Sequence, residues 1–339
     1  MIDLLVAGGG PVGLAVAISA RIAGMEVVVK EPRESVIDKA CGEGLMPEAL
    51  ARLHSIGVDL QGMSFHGIRY IDGARSVSSR FATGSGKGVR RTHLHEVMRE
   101  QALNLGVRFI QARVDSVSQS DDWVETDGLR SRYLVAADGL HSSIRAAVDL
   151  DRPARGPVRF GVRQHFHVEP WTDLVEVYWL KDCELYVTPV GHDMVGVAVL
   201  GQRPLGLSAS VAAVPELAMR ISHAPAASRL LGAGPMRQSA TARTRGRVLL
   251  VGDAAGSVDA ITGEGLRTGF AEAQAAVAAM VSGDVNAYER EWKSITRSYR
   301  HLTSALIWAA SHRHLRSMIV PTAAAMPWAF GRIVNSVGS

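Results

Sequence analysis

The chain has 339 residues, with 37 basic and 33 acidic side chains, a formal charge of +4 and 47% hydrophobic content, enough for a large core in two domains or lobes. Of the basic residues, 32 are arginine, and they are thinly spread with no run interleaved with aromatics, so no nucleic-acid partner is expected. Two cysteines, Cys41 and Cys183, cannot build a disulfide framework and fit a reducing, cytoplasmic setting.

Residues 2–7 read as a strand, followed by a glycine turn, a helix over 11–23 and a strand over 26–30, a βαβ opening. Asp3 comes at once and no basic segment precedes the apolar run, so the start is not read as a secretory signal. Gly8, Gly10 and Gly13 fit G-x-G-x-x-G between strand and helix, with Pro11 and Val12 inside the motif. In that pattern the first glycine permits the tight turn, the second lets backbone approach a pyrophosphate, and the third lets helix and strand pack closely. The helix N-terminus offers unpaired N–H groups and a positive dipole end to phosphates. Glu31 closes the second strand, where an acid accepts ribose hydroxyls. The fingerprint alone does not separate FAD from NAD.

A helix over 46–56, short strands near 66–71 and 77–82, a mobile glycine-rich connection at 84–88 and a helix over 92–105 follow. Residues 107–119 are strand-like, and Asp127-Gly128 turns a hairpin whose second arm, 129–136, runs into Asp138-Gly139. From 158 to 200 the pattern is strands only (158–168, 174–180, 184–190, 193–200), an antiparallel sheet. Residues 208–231 look helical, 235–243 is a strand, 247–251 returns to the first sheet, and helices fill 264–282 and 285–316. The expected fold class is α/β: a Rossmann-like domain (1–62, 89–155, 244–284) interleaved with an antiparallel-sheet substrate domain (63–88, 156–243), plus C-terminal helices (285–339). The apolar stretch 318–334 is interrupted by Pro321, Pro327 and Arg332, so it does not read as a membrane span.

Two further segments, 136-AADGLHSSIR-145 and 251-VGDAAGSVDAITGEGL-266, give the chain a family likeness. It resembles the flavoproteins of the p-hydroxybenzoate hydroxylase fold, which include aromatic hydroxylases and geranylgeranyl reductases. Asp138-Gly139, with Ser142, Ser143 and Arg145 behind it, looks like that family's DG motif, and Gly252-Asp253 looks like its GD motif, whose aspartate binds the ribityl chain or ribose of FAD. Arg91 with Leu94 resembles the arginine step at a helix start that reaches the cofactor, and Val114 sits where main-chain atoms meet the adenine. The resemblance implies bound FAD, with NAD(P)H docking transiently as electron donor.

Gly263, Gly265 and Leu266 open a helix whose N-terminus would face the pyrimidine side of the flavin and stabilise negative charge there. Arg267 in its first turn either contacts an anion or points to solvent. Cys41-Gly42-Glu43-Gly44-Leu45 resembles the cysteine-glycine loop of the reductase branch, near ring and substrate. Cys41 fits substrate contact, flavin tuning or plain packing; Glu43 fits a proton donor or a helix cap. Where many hydroxylases carry a histidine and two prolines after the GD motif, this chain has Gly256, Asp259 and Ala260.

On the substrate side, Arg163, His165 and His167 share one face of a strand and read as solvent-facing rather than metal-binding. Tyr178, Trp179 and Tyr186 fit a cavity lining or ordinary sheet core. The basic run through Arg297, Arg300, Arg313 and Arg316 reads as a solvated helix face. The C-terminal Trp308, Met318, Met326, Trp328 and Phe330 fit pocket closure, a homodimer contact of an otherwise monomeric chain, or a peripheral membrane contact.

The resemblance leads first to an FAD-dependent monooxygenase that hydroxylates a hydrophobic phenolic, polyketide or similar small molecule with NAD(P)H and O2. The second expectation is an FAD-dependent reductase of isoprenoid or polyene double bonds. A flavin halogenase is disfavoured by the lack of a tryptophan-x-tryptophan signature, and a flavin-bound redox sensor without turnover is the non-enzymatic alternative.

Overall fold

The computed structural model describes residues 1–73 and 75–338. Its first sheet orders the strands Val248–Leu250, Leu129–Ala136, Ile2–Ala7, Val27–Lys30 and Arg108–Ile110 side by side, all parallel. These strands are near-continuous apolar runs because helices cover both faces. Leu4, Val6, Leu134 and Leu249 are fully buried, and the helices Pro11–Ile22 and Gly265–Ser282 pack together over them. The hairpin turns at Asp127 and Gly128, both at positive φ, so that Thr126 pairs with Leu129.

The second sheet has seven strands in the order Leu231–Ala233, Phe160–His167, Met194–Gly201, Cys183–Gly191, Val175–Trp179, Gly67–Asp72 and Arg75–Arg80. Only the contact of Val175–Trp179 with Gly67–Asp72 is parallel. Segments far apart in sequence therefore build one surface facing the first sheet's carboxyl ends.

Several expected elements differ. Residues 84–88 are not a mobile connection: Gly86–Gly88 is a strand paired with Gly44–Leu45 and Met63–Phe65. Glycine is required there because a Cβ on Gly86 would lie 2.3 Å from the Phe65 ring. The expected strand 107–119 keeps only Arg108–Ile110 and Ser118–Gln119, since the Asp127 carboxylate captures the Ser116 N–H at 2.9 Å and bends the chain between them. The helix over 208–231 breaks into Leu207–Ala212 and Pro215–Ile221, Pro215 starting a new helix after an extended Val214. Of 235–243 only Ser239–Ala240 pairs, with Asp151–Arg152. The last long helix stops at Ser311, where His312 is extended, and two more follow, Arg313–Ala325 and Pro327–Gly338.

Candidate active site

The expected site residues converge on one cavity of about 1310 Å³ between the two sheets and the C-terminal helices. At one end lie Gly8, Gly10, Pro11, Val12, Glu31 and Val114, and in the middle Arg91, Asp138, Gly139, Gly252 and Asp253. Gly263, Gly265 and Leu266 face Cys41, Gly42 and Glu43 further along. Gly13 alone does not line it. A Cβ there would come 2.0 Å from the Gly8 carbonyl oxygen, so its hydrogen serves helix–strand packing.

Each turn is held by a specific contact. Glu31 accepts the Gly9 N–H at 2.8 Å and pairs with Arg33 at 2.7 Å. Burial pushes its carboxyl up, but Arg33 and the Gly9 N–H win and hold it below the usual range. Buried Arg145 bonds the Leu140 and Ala254 carbonyls and Asp151, tying the DG turn to the GD turn. Ser142 caps the helix Ser143–Ala147 by accepting the Arg145 N–H at 3.0 Å.

The cavity fits a flavin dinucleotide on its own evidence. Among the described residues, the buried Oδ1 of Asp138 and Nε of Arg91 have no hydrogen-bond partner, an unmet acceptor and donor on its wall. A Cβ on Gly42 or Gly265 would meet no described atom within 4 Å, so both positions open into the cavity. The helix Gly265–Ser282 starts with no side-chain cap among the described residues, which leaves its first N–H groups for a ligand.

Arg267 is not aimed at solvent: it pairs with Glu48 at 2.8 Å and Glu264 at 2.5 Å. Glu43 does not cap the following helix, whose N-cap is Met46. It stands at φ +59, a conformation that non-glycine residues rarely adopt, with the Cys41 sulfur accepting its N–H at 3.4 Å. The turn thereby sends the Glu43 side chain inward, where Oε1 accepts the Arg91 N–H at 2.7 Å and Oε2 bonds His165 Nε2.

Arg163 and His165 correct the expectation of a solvent-facing strand. They are 1% and 0% exposed, and Arg163 bonds Asp38 while His165 bonds Glu43; only His167 of the three faces solvent. The polar face of this strand covers the cavity instead of the surface, and Gly161 continues the same row. Of the three aromatics considered, Tyr186 lines the cavity and donates to the Ile261 carbonyl at 2.9 Å. Tyr178 donates to Glu176 at 2.7 Å, and Trp179 packs edge-on to Tyr70, which was not singled out and does line the cavity. Arg316 is likewise no part of a solvated face: it is buried against Glu184 at 2.7 Å.

Beyond the Cys41 turn the cavity becomes apolar, walled by Ile68, Val175, Val177, Leu302, Ile319 and Phe330. Its rim is formed by Trp308, Leu315, Met318, Met326 and Ile333, each at least 38% exposed. Trp328, also exposed, lies outside it. No helix among the described residues is long and apolar enough to cross a membrane.

The sequence matches the FAD binding domain family over residues 1–283. The chain belongs to that family. It is an FAD-dependent oxidoreductase, and FAD is its cofactor. This flavoprotein is 28% identical to a menaquinone reductase of Mycolicibacterium smegmatis, across 88% of this chain and 80% of that one. It is 24% identical to a digeranylgeranylglycerophospholipid reductase of Methanosarcina acetivorans, across 87% and 81%. A p-nitrophenol 4-monooxygenase from Pseudomonas putida superposes with a TM-score of 0.80 at 18% identity, covering 99% of this chain and 98% of that one, a likeness of fold.

Proposed function

We propose that this flavoprotein saturates a carbon–carbon double bond in an isoprenoid or polyene lipid. The observation that carries the reading is the continuity of the cavity. It runs from the flavin-binding turns, past Cys41 and Glu43, into an apolar channel that ends at an exposed apolar rim. A long hydrocarbon chain suits such a channel, since each buried CH2 gains about 0.8 kcal/mol. The reductases among its relatives, which match over most of their length, support the same choice.

Bound FAD, once reduced, supplies the electron pair. The chain's own residues bind and orient the lipid along the apolar wall, keep water from the reacting carbons and hold a proton at Glu43. NAD(P)H is the proposed electron donor, and the lipid is proposed to enter from a bilayer on which the rim rests. From Trp292 to the end the sequence contains no acidic residue but six lysines and arginines, Lys293, Arg297, Arg300, Arg313, Arg316 and Arg332. With Arg316 turned inward and Arg300 half-buried against Trp292, the exposed Lys293, Arg297, Arg313 and Arg332 suit an anionic lipid surface.

Oxygen transfer to a phenolic small molecule is the second reading. The Glu43–His165 pair favours it, because either group could accept the proton of a phenol while Arg163 stabilises the resulting charge. Anaerobic NADPH reduction in the presence of geranylgeraniol or a phenol panel, followed by aerobic product analysis, separates the two. Gain of two hydrogens by the isoprenoid without oxygen supports the reductase; gain of one oxygen by a phenol replaces it with the hydroxylase.

A further inference from the structure

The wall behind the Cys41–Glu43 turn is connected to the outer surface. His165, fully buried, bonds Glu43 through Nε2 and lies 2.9 Å from Ser228 Oγ through Nδ1. Ser228 is half-buried on the loop after the helix Pro215–Ile221, beside exposed Arg229.

The proton positions follow from the donors. Arg163 Nη1, 3.2 Å from His165 Nδ1, can only donate. Ser228 Oγ already accepts the His165 backbone N–H at 3.1 Å, so its own hydrogen is free for Nδ1 or for the Arg229 carbonyl. Nδ1 is therefore the ring's acceptor, and the ring proton sits on Nε2, aimed at Glu43. An imidazole in that state passes a proton by taking one on Nδ1 as it releases the other from Nε2. Arg163, which also bonds Asp38, lies 3.5 Å from Glu43 Oε1 and steadies the carboxylate between transfers.

We propose that Ser228, His165 and Glu43 form a proton-delivery path from solvent to the substrate cavity, a proposal that rests on the double-bond reading. A lipid seated in the channel blocks the mouth as a route for water, so the proton has to arrive through the wall. In one turnover the π bond of the substrate breaks, and an electron pair with one hydrogen arrives from the reduced flavin to form the first C–H bond. The Glu43 O–H bond breaks to form the second. Glu43 regains its proton from His165 Nε2, Nδ1 takes that of Ser228, and Ser228 takes one from bulk water. Glu43 is the catalytic residue; His165 and Ser228 act through it.

The test mixes anaerobically photoreduced holoenzyme with geranylgeraniol or menaquinone-4 in detergent micelles, in H2O and in D2O. It follows flavin reoxidation together with the mass of the hydrogenated lipid. His165→Gln, which keeps hydrogen-bonding capacity but cannot relay, is expected to slow reoxidation about 100-fold. FAD affinity and KM should stay as in wild type. Ser228→Ala, at a half-buried loop position, should give a smaller loss and a changed solvent isotope effect, with circular dichroism confirming the fold, and imidazole in the buffer should partly restore His165→Ala. Wild-type turnover with equal rates and equal isotope effects in His165→Gln and Ser228→Ala overturns the path alone. A wild type that hydrogenates neither lipid overturns the double-bond reading, and the path falls with it.

Discussion

The Arg316 guanidinium lies 2.7 Å from the Glu184 carboxylate, and this ion pair ties the C-terminal helix Arg313–Ala325 to the sheet beneath the apolar channel. Glu184 is fully buried and also pairs with Arg159, which reaches Asp259 in the flavin-side loop at 3.2 Å. Arg316 donates to the Leu180 and Cys183 carbonyls, both at 2.6 Å. Removing one partner of such a cluster strands buried charge, so Arg316→Ala should cost roughly 3–5 kcal/mol if the region unfolds with the rest. If the C-terminal helices instead detach first, limited proteolysis should cut near His312 while FAD stays bound. A urea midpoint and a digestion pattern both equal to wild type would remove the latch role.

Two glycines of the same fingerprint should fail differently. A Cβ on Gly10 meets only Arg91 Nη2, at 4.0 Å, so Gly10→Val leaves the protein foldable and intrudes on the cofactor. On Gly13 the Cβ meets backbone at 2.0 Å, so Gly13→Val strikes the fold itself. Gly10→Val should purify folded and colourless, as should Asp253→Ala, whereas Gly13→Val should be insoluble or molten. Full yellow occupancy in the first two variants would contradict these roles.

The flavin half of the site was legible in the sequence because its chemistry is carried by backbone. Gly8, Asp138-Gly139 and Gly252-Asp253 sit at strand ends, where local pattern fixes both conformation and direction. Of the cluster proposed to handle protons, only Glu43 stood out in the sequence, as a candidate proton donor. Glu43, Arg163 and Ser228 come from three distant segments, and alternation along Phe160–His167 gives two faces without saying which one is covered. His165 and His167 look identical in that pattern, yet one is buried at Glu43 and the other is exposed. The expected mobile connection at 84–88 is a strand instead because its glycines answer tertiary neighbours, the Phe65 ring at Gly86 and the Pro189 backbone at Gly88, and not a need for flexibility.

Glu272 ties stability to pH beneath the GD turn. It accepts the Gly252 N–H at 2.6 Å and is buried. Burial, and then the nearby Asp253, push its carboxyl up to about 8 against the pull of the Gly252 N–H and Arg243. The folded state thus binds this proton more tightly than the unfolded chain does. Its contribution is complete below the ordinary glutamate value and is lost as pH rises toward and through about 8, on the order of a few kcal/mol. Glu272→Gln, which keeps an acceptor for Gly252, should flatten that decline: similar to wild type at low pH and more stable than it above pH 8. Urea midpoints of both proteins across the range check the sign, and parallel curves would refute it.

If the rim receives lipid from a bilayer, its exposed apolar side chains and the basic residues around them should act together. Trp308 and Met318 are 60% and 54% exposed at the channel mouth, and Arg313 lies between them in sequence. Apolar insertion and attraction to anionic headgroups are separable by composition and salt, since each surface cation adds about 1 kcal/mol and is screened within a Debye length. The holoenzyme should cosediment with phosphatidylglycerol vesicles, less with phosphatidylcholine, and less again at high salt. Trp308→Glu with Met318→Glu should release it from both while leaving flavin content and thermal stability unchanged, because neither side chain is buried. Wild-type protein that stays in the supernatant with anionic vesicles would remove the bilayer from the substrate's route and leave delivery to a carrier or to free diffusion.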